Sequence, residues 1–350
     1  MGIVAAVVLI AAAGFGVWWY MQSQAKKPAA TTTPKFRIGL SLDTYKELRW
    51  AKDRDYMVAH AKSLGGDVTT LAADSDDAKQ ITQIENLIAQ RVDVLVIVAH
   101  DAQKVAPTIA EAHAAGIKVI AYDRLIADSD VDAYVTFDST IIGKYEAKYV
   151  TDAMTLTAGK PANIALVGGA ETDNNSALVK QGEMGVLQPL VTANKVKIVY
   201  DQYTPDWSAD VAYTNIKDFL DKGGKLDAVI AANDGTAGGV IKALKTHSLD
   251  GKIPVSGSDA ELPAVQRVVA GTQTMTIYTP FQNLANEAVD LAYAFYQHKT
   301  PTFNGKMNNG KIDVPSFLLD STPVTKANVQ DTIIKPGVYS STDVNATSSN

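Results

Sequence analysis

The sequence predicts an α/β protein built on parallel sheets, and three observations carry that expectation. Short, β-branched apolar runs recur, as in Val94-Leu95-Val96-Ile97-Val98, which suits strands covered on both faces. Between them lie stretches whose apolar residues are spaced by three and four, the period of an amphipathic helix. The two patterns alternate over most of the 350 residues.

In chain order, Phe36–Leu42 reads as the first strand. Asp74-Ser75-Asp76 then offers N-caps to a helix whose apolar face is Ile81, Ile84, Leu87 and Ile88. That helix runs into the strand Val94–Val98. The rhythm continues with helix Val105–Ala115, strand Ile117–Tyr122, helix Ile141–Leu156 and strand Asn163–Val167. Helix Ser176–Leu190, strand Val196–Tyr203, helix Ala209–Leu220 and strand Ala228–Ala232 follow. Gly238–Leu244, Ile253–Ser256, Leu262–Val269, Thr274–Tyr278 and Asn283–Tyr296 complete it.

The N-terminus is a different object. Ile3 to Tyr20 is a run of eighteen residues without a charge, closing on Trp18-Trp19-Tyr20. At 1.5 Å per residue such a helix spans about 27 Å, close to the hydrocarbon thickness of a bilayer, with aromatics at its interface. Residues 1–35 therefore read as a membrane anchor or signal segment with a linker, Pro28–Pro34 being a low-complexity spacer. Ser23-Gln24-Ala25 would suit cleavage, but the apolar run is longer than a cleavable signal needs and no basic residue precedes it.

Composition narrows the function. The chain carries 32 Lys and Arg against 38 Asp and Glu, a formal charge of −6, and no basic run exceeds Lys26-Lys27. Three of those bases and none of the acids lie in residues 1–35, so the body holds 29 bases against 38 acids, a net −9. A nucleic-acid partner is excluded, since binding phosphates needs a basic face. Without cysteine there is no disulfide, thiol chemistry, cysteine metal site or lipidated cysteine. The histidines, His60, His100, His113, His247 and His298, show no metal-ligand spacing. All but His100 fall on helices or their ends. Gly168-Gly169 lacks the spacing of a dinucleotide fingerprint, and Ala158-Gly159-Lys160-Pro161 lacks that of a phosphate loop. Neither a cofactor nor a metal is expected.

Open parallel sheets bind ligands at the carboxyl ends of their strands. Those ends carry Asp43, His100-Asp101, Asp123-Arg124, Asp138, Gly168–Asn175, Asp206-Trp207, Asn233-Asp234 and Ser258-Asp259. Such side chains suit a polyhydroxylated ligand: carboxylates accept from vicinal hydroxyls, amides donate and accept, and guanidinium donates in a planar fork. The body has two tryptophans, Trp50 and Trp207, neither inside an apolar periodic stretch, and a flat ring packs on the C–H face of a sugar. A glycosidase-like carboxylate pair is the enzymatic rival. Arg and Asn partners are expected to keep these acids ionised, which argues against acid catalysis and for a protein that is not an enzyme.

Several stretches resemble the periplasmic D-xylose-binding protein family, among the type I sugar-binding proteins of ABC transporters. They are Arg49–Asp55, Gln83–Asn86, Val92–Ile97, Ala121–Arg124, Asp173–Asn175, Asn233–Gly239, Gly257–Ala260, Ala270–Thr276 and Val314–Asp320, in order over about residues 36–337. The resemblance implies two Rossmann-like lobes joined by a three-strand hinge, closing over a sugar. It implies an N-terminal lobe of residues 36–138 plus 280–304, a C-terminal lobe of 139–279 plus 305–338, and a polar tail of 339–350. Position by position it implies sugar contacts at Arg49, Trp50, Asp123 and Arg124 from the first lobe, and at Asn174, Trp207, Asn233 and Asp259 from the second. In the family pattern a lysine follows Tyr278; here Thr279 stands in that place.

The function implied is extracytoplasmic binding of D-xylose or a related monosaccharide, for delivery to an ABC permease from the outer face of the cytoplasmic membrane. The alternative is an anchored sensor subunit that reports sugar to a histidine kinase. A repressor of this fold would need a helix-turn-helix head, and residues 1–35 do not supply one.

Overall fold

The computed structural model describes residues 36–346, and the apolar run at residues 3–20 lies outside them. Among the described residues no helix is long and apolar enough to cross a membrane.

The first strand, β1 (Phe36–Leu42), is almost wholly buried, with Phe36, Ile38, Leu40 and Leu42 in the core and Arg37 half-buried. It pairs in parallel with β2 (Gly66–Ala72) on one side and β3 (Val94–Ile97) on the other. Strands β4 (Lys118–Tyr122) and β5 (Ala133–Phe137) extend the parallel sheet. Two late strands, β10 (Gly305–Asn308) and β11 (Asp313–Leu319), complete seven in the order β10-β11-β5-β4-β3-β1-β2. A second sheet holds β6 (Ala162–Val167), flanked in parallel by β7 (Val196–Gln202) and β8 (Ala228–Ala231). A two-stranded antiparallel ribbon pairs β9 (Met275–Tyr278) with β12 (Thr322–Thr325).

Helices cover these sheets. On the first sheet lie α1 (Arg49–Ser63), α2 (Asp77–Ala89), α3 (Ala106–Ala114) and, much later in the chain, α9 (Phe281–Tyr296). On the second lie α4 (Ser139–Asp152), α5 (Asn174–Thr192), α6 (Ala209–Asp221) and α7 (Asp234–Thr246). The ribbon carries α8 (Leu262–Ala270) and α10 (Ser341–Asn345). The chain passes between the two halves at Asp138, at Thr279-Pro280 and at Asp320-Ser321, which makes the hinge three-stranded.

Two expectations about the lobes differ from this topology. The resemblance places residues 305–319 in the second lobe, yet β11 pairs in parallel with β5 (Ser316 with Tyr134, Leu319 with Phe137). A parallel neighbour needs a long crossover, which hides such a pairing from local pattern. The tail from 339 is not merely polar either. Val344 is buried in a cluster with Val265, Val324 and Ile333, and Tyr339 accepts a hydrogen bond from Lys52 on α1 at 3.1 Å.

Helix starts follow local chemistry. Asp76 accepts from the Lys79 amide, Asp138 from Thr140 and Ile141, and Asp173 from Asn175. Asn233 forms a capping box with Thr236. Each satisfies amides that a helix N-terminus leaves free. Several of these N-termini lie just past strand ends and point into the space between the halves.

Candidate functional site

One cavity between the halves has a volume of about 70 Å³ and is lined by both. From the first half come Glu47, Arg49, Trp50, Asp123 and Arg124. From the second come Ser139, Ile142, Asp173, Asn175, Val179, Trp207, Ala232, Asn233, Ser258 and Asp259. A water needs about 10–15 Å³ on a comparable scale, so the space suits one small ring and no oligosaccharide. A larger cavity of about 1280 Å³ lies far away, around Arg91, Gly116, Lys118 and Phe303. It sits at the amino ends of the first sheet's strands, away from the carboxyl ends where such sheets bind ligands.

Seven of the eight expected residues line the small cavity: Arg49, Trp50, Asp123, Arg124, Trp207, Asn233 and Asp259. Asn174 does not. Its neighbours Asp173 and Asn175 do, because Asp173 is the N-cap and the helical turn carries Asn175 inward. Asn175 bridges the halves, donating to the Asp123 carbonyl at 2.9 Å and accepting from Ser139 Oγ at 3.0 Å. Trp50 also differs from expectation. It stands on α1, 3% exposed, and packs into the core as well as walling the cavity. The charged residues of α1 conceal that apolar face in the sequence. Thr279, where the family pattern has lysine, is buried and lies outside the cavity lining, its hydroxyl without a hydrogen-bond partner among the described residues.

Two guanidinium groups organise the first half. Arg49 Nη2 donates to Asp123 Oδ2 at 2.7 Å and its Nε to Asp53 Oδ2 at 3.3 Å, while Nη1 lies 3.7 Å from Asp259 Oδ1 of the other half. Its carbon stands 4.3 Å from the centroids of both Trp50 and Phe281, a stacked cation position. Arg124 binds Asp43 at 2.7 Å and reaches across the cleft to Asp173 at 2.8 Å. Asp43 also meets His100 Nδ1 at 3.0 Å, so His100 supports Arg124 from behind and does not line the cavity. Burial would raise the Asp43 carboxyl, but the His100 hydrogen bond and the Arg124 charge outweigh it and hold it down at about 2.

The acids at and just behind the cavity do not all shift the way Asp43 does. Burial pushes Asp259 well above the usual carboxylate range, against the pull of Arg49, and burial likewise raises Asp173 against Arg124. Burial raises Asp53 to about 7. The expectation that arginine partners dominate these acids is therefore corrected in direction at these positions: desolvation exceeds the pairing.

Several site residues occupy backbone that side chains disfavour. Asp123 has φ +64°, Trp207 +54° and Asp259 +100°. At Asp123 the strain is held by three donors on one carbonyl, from Tyr134, Thr136 and Asn175. At Trp207 the indole donates to Asp173 Oδ2 at 3.2 Å and packs against Gly169, where a Cβ would come within 2.2 Å of the ring. Such strain concentrates where side-chain direction matters.

Sequence reasoning did not single out Glu47, Ser139, Asp173, Asn175 or Ser258 as site residues. Glu47 fixes Trp50, accepting from its indole at 2.7 Å. Asp173 and Asn175 stood within the strand-end segment Gly168–Asn175, and a helix N-cap reading accounts for Asp173 equally well. Among strand-end residues, Asp101 and Asp138 turn out to cap local turns: Asp101 accepts from Gln103 and Lys104, Asp138 from Thr140 and Ile141. Three of the remaining histidines pair with acids outside the cavity, His60 with exposed Asp290, His247 with exposed Asp221 and His113 with the half-buried Asp132. Among the described residues no cluster of His, Asp or Glu is arranged to hold a metal ion.

Residues 38–300 match a family model described as a periplasmic binding protein domain. The chain is 43% identical over 305 residues to the D-xylose-binding periplasmic protein of Haemophilus influenzae, covering 87% of this chain and 90% of that protein. It is 40% identical over 316 residues to the D-xylose-binding periplasmic protein of Escherichia coli, covering 90% and 94%. Among solved structures, a solute-binding protein of an ABC transporter from Clostridium phytofermentans, with bound β-D-glucose, superposes with a TM-score of 0.82 at 30% identity, over 88% of this chain and 99% of that one.

Proposed function

The chain belongs to the family of periplasmic binding proteins, and on that premise we propose that it binds one monosaccharide, D-xylose, between its lobes outside the cytoplasmic membrane. The observation that carries this reading is a small cavity between the lobes with an indole from each, Trp50 and Trp207, and polar groups converging between them. Arg49 and Arg124 donate in planar forks, Asn233 and Asn175 both donate and accept, and Asp123 accepts. A pyranose presents this mixture: hydroxyls around its rim and C–H faces above and below.

The same reading makes the protein a carrier without chemistry of its own, handing the sugar to an ABC permease that reads the closed shape. Its cleft arginines are committed to Asp43, Asp53 and Asp123, which orients them as fixed donors. In this role Arg49, Trp50, Asp123, Arg124, Trp207, Asn233 and Asp259 contact the sugar, Asn175 taking the place expected of Asn174.

Titration calorimetry of the soluble body tests it. D-xylose is expected to bind with a Kd in the micromolar range, about −8 kcal/mol, with a parallel change in tryptophan emission. No heat with xylose, ribose, arabinose, glucose or galactose would remove the sugar reading.

A further inference from the structure

Asp234 follows the cap residue Asn233 and is 1% exposed, yet it does not line the cavity. An acid in the first turn of a helix ordinarily interacts with the helix dipole and faces solvent. This one is spent on other segments. Its Oδ2 accepts from the Glu261 amide at 2.9 Å and from Thr276 Oγ1 at 2.8 Å, and its Oδ1 from Gln273 Nε2 at 2.8 Å. Its own amide donates to the Ser258 carbonyl at 2.9 Å. Thr276 continues the bridge, its hydroxyl accepting from the Ala260 amide at 3.1 Å. Gln273 is oriented in turn by Arg267, whose Nε donates to Gln273 Oε1 at 2.9 Å. At Gly257 a Cβ would sit 2.3 Å from Asp234 Oδ1, so the carboxylate approaches this turn as closely as a missing side chain permits.

The turn so gripped contains Asp259 and Ala260, at φ +100° and +46°. Both are in the left-handed region that side chains enter only when surroundings impose it. The Ser258 carbonyl before the strained pair, the Glu261 amide after it and the Ala260 amide within it are tied to Asp234 directly or through Thr276.

We propose that Asp234 is a positioning residue for sugar binding: it holds the Ser258–Glu261 turn in its strained form so that Asp259 faces the cavity. The inference rests on the reading above that Asp259 holds the sugar, and it adds a residue that never touches the ligand.

Two measurements separate the inference from that reading. Amide hydrogen exchange of the ligand-free protein reads the turn itself: Asp234→Asn is expected to speed exchange at Ala260 and Glu261 by about tenfold or more, relative to the strands of either sheet. Calorimetry with D-xylose reads the consequence: affinity is expected to fall by about tenfold to a hundredfold. In an Asp259→Asn background, Asp234→Asn is expected to weaken binding no further. Thr276→Val, which removes the bridging hydroxyl, is expected to reproduce both effects, and Thr276→Ser to restore both. That pair carries the test if Asp234→Asn does not fold. Exchange and affinity unchanged in Asp234→Asn or Thr276→Val would overturn the inference. An equal affinity loss with and without Asp259 would do the same. If the unaltered protein binds no sugar, the functional reading fails, while the exchange result still decides what Asp234 does.

Discussion

The two lobes bring opposite chemistry to the same cavity. The first presents two buried cations, Arg49 and Arg124, each already held by carboxylates of its own lobe. The second presents amides, hydroxyls and acids: Asn175, Asn233, Ser139, Ser258, Asp173 and Asp259. Where the two meet, arginine faces carboxylate, at 2.8 Å for Arg124 and Asp173 and at 3.7 Å for Arg49 and Asp259. For Asp173 and Asp259 these arginines are the cationic partners, and a buried carboxylate that loses its cation is in a costly state. The lobes are thus matched in charge across the gap, tightly at Arg124 and Asp173 and more loosely at Arg49 and Asp259.

Breaking the first lobe's side of this match is expected to have the largest effect. Arg49→Met leaves Asp53 and Asp123 facing each other without a cation, and should cost about 3–5 kcal/mol of folding stability along with sugar binding. Urea unfolding checks the first and calorimetry the second. A stability loss below about 1 kcal/mol would mean that Arg49 is not the organiser described.

The second lobe offers a contrast that pH can sharpen. Glu146 on α4 and Glu183 on α5 are buried acids with no arginine, and neither oxygen of Glu146 has a hydrogen-bond partner among the described residues. Burial raises both, Glu183 to about 8, and the neighbouring Glu183 charge raises Glu146 further. The folded chain therefore keeps protons that the unfolded chain releases above about 4.5, so stability falls as pH rises from about 4.5 to about 8. Asp43 in the first lobe has the opposite sign: its stabilisation is present above 3.8 and lost as pH falls toward about 2. Melting temperature is expected to drop between pH 5 and pH 8, and Glu146→Gln to flatten that slope. An unchanged slope would relieve Glu146 of this role.

The smallest effect is expected at the rim. Lys46 and Asp206 pair across the lobes at 3.3 Å, but their side chains are 53% and 43% exposed. Such pairs contribute about 0–1 kcal/mol. Lys46→Ala should change the sugar Kd by less than about threefold, and a larger shift would move part of the interlobe match from the cavity to its edge.

What the amino-acid sequence made legible was local. The apolar run Val94–Val98 and the Asp76 cap announced β3 and α2 because each depends on neighbours a few residues away. The same logic pointed to strand ends, and so to Asp123, Trp207, Asn233 and Asp259. Three things stayed hidden. The pairing of β11 with β5 joins segments almost two hundred residues apart, and nothing in either strand names its partner. Whether Asn174 or Asn175 faces the cavity depends on a rotation of about 100° per residue, set by which residue is the cap. The left-handed backbone at Asp123, Trp207 and Asp259 is imposed by tertiary hydrogen bonds, where glycine would have been the readable signal.

The central claim is that one sugar ring sits between the two tryptophans and is held by groups of both lobes. A crystal structure of the protein with D-xylose tests it most directly. The account predicts the ring between Trp50 and Trp207, with hydroxyls on Arg49 and Asp123 from one side and on Asn233 and Asp259 from the other. Xylose bound elsewhere, as in the large cavity near Lys118 and Phe303, or contacting one lobe alone, would contradict it.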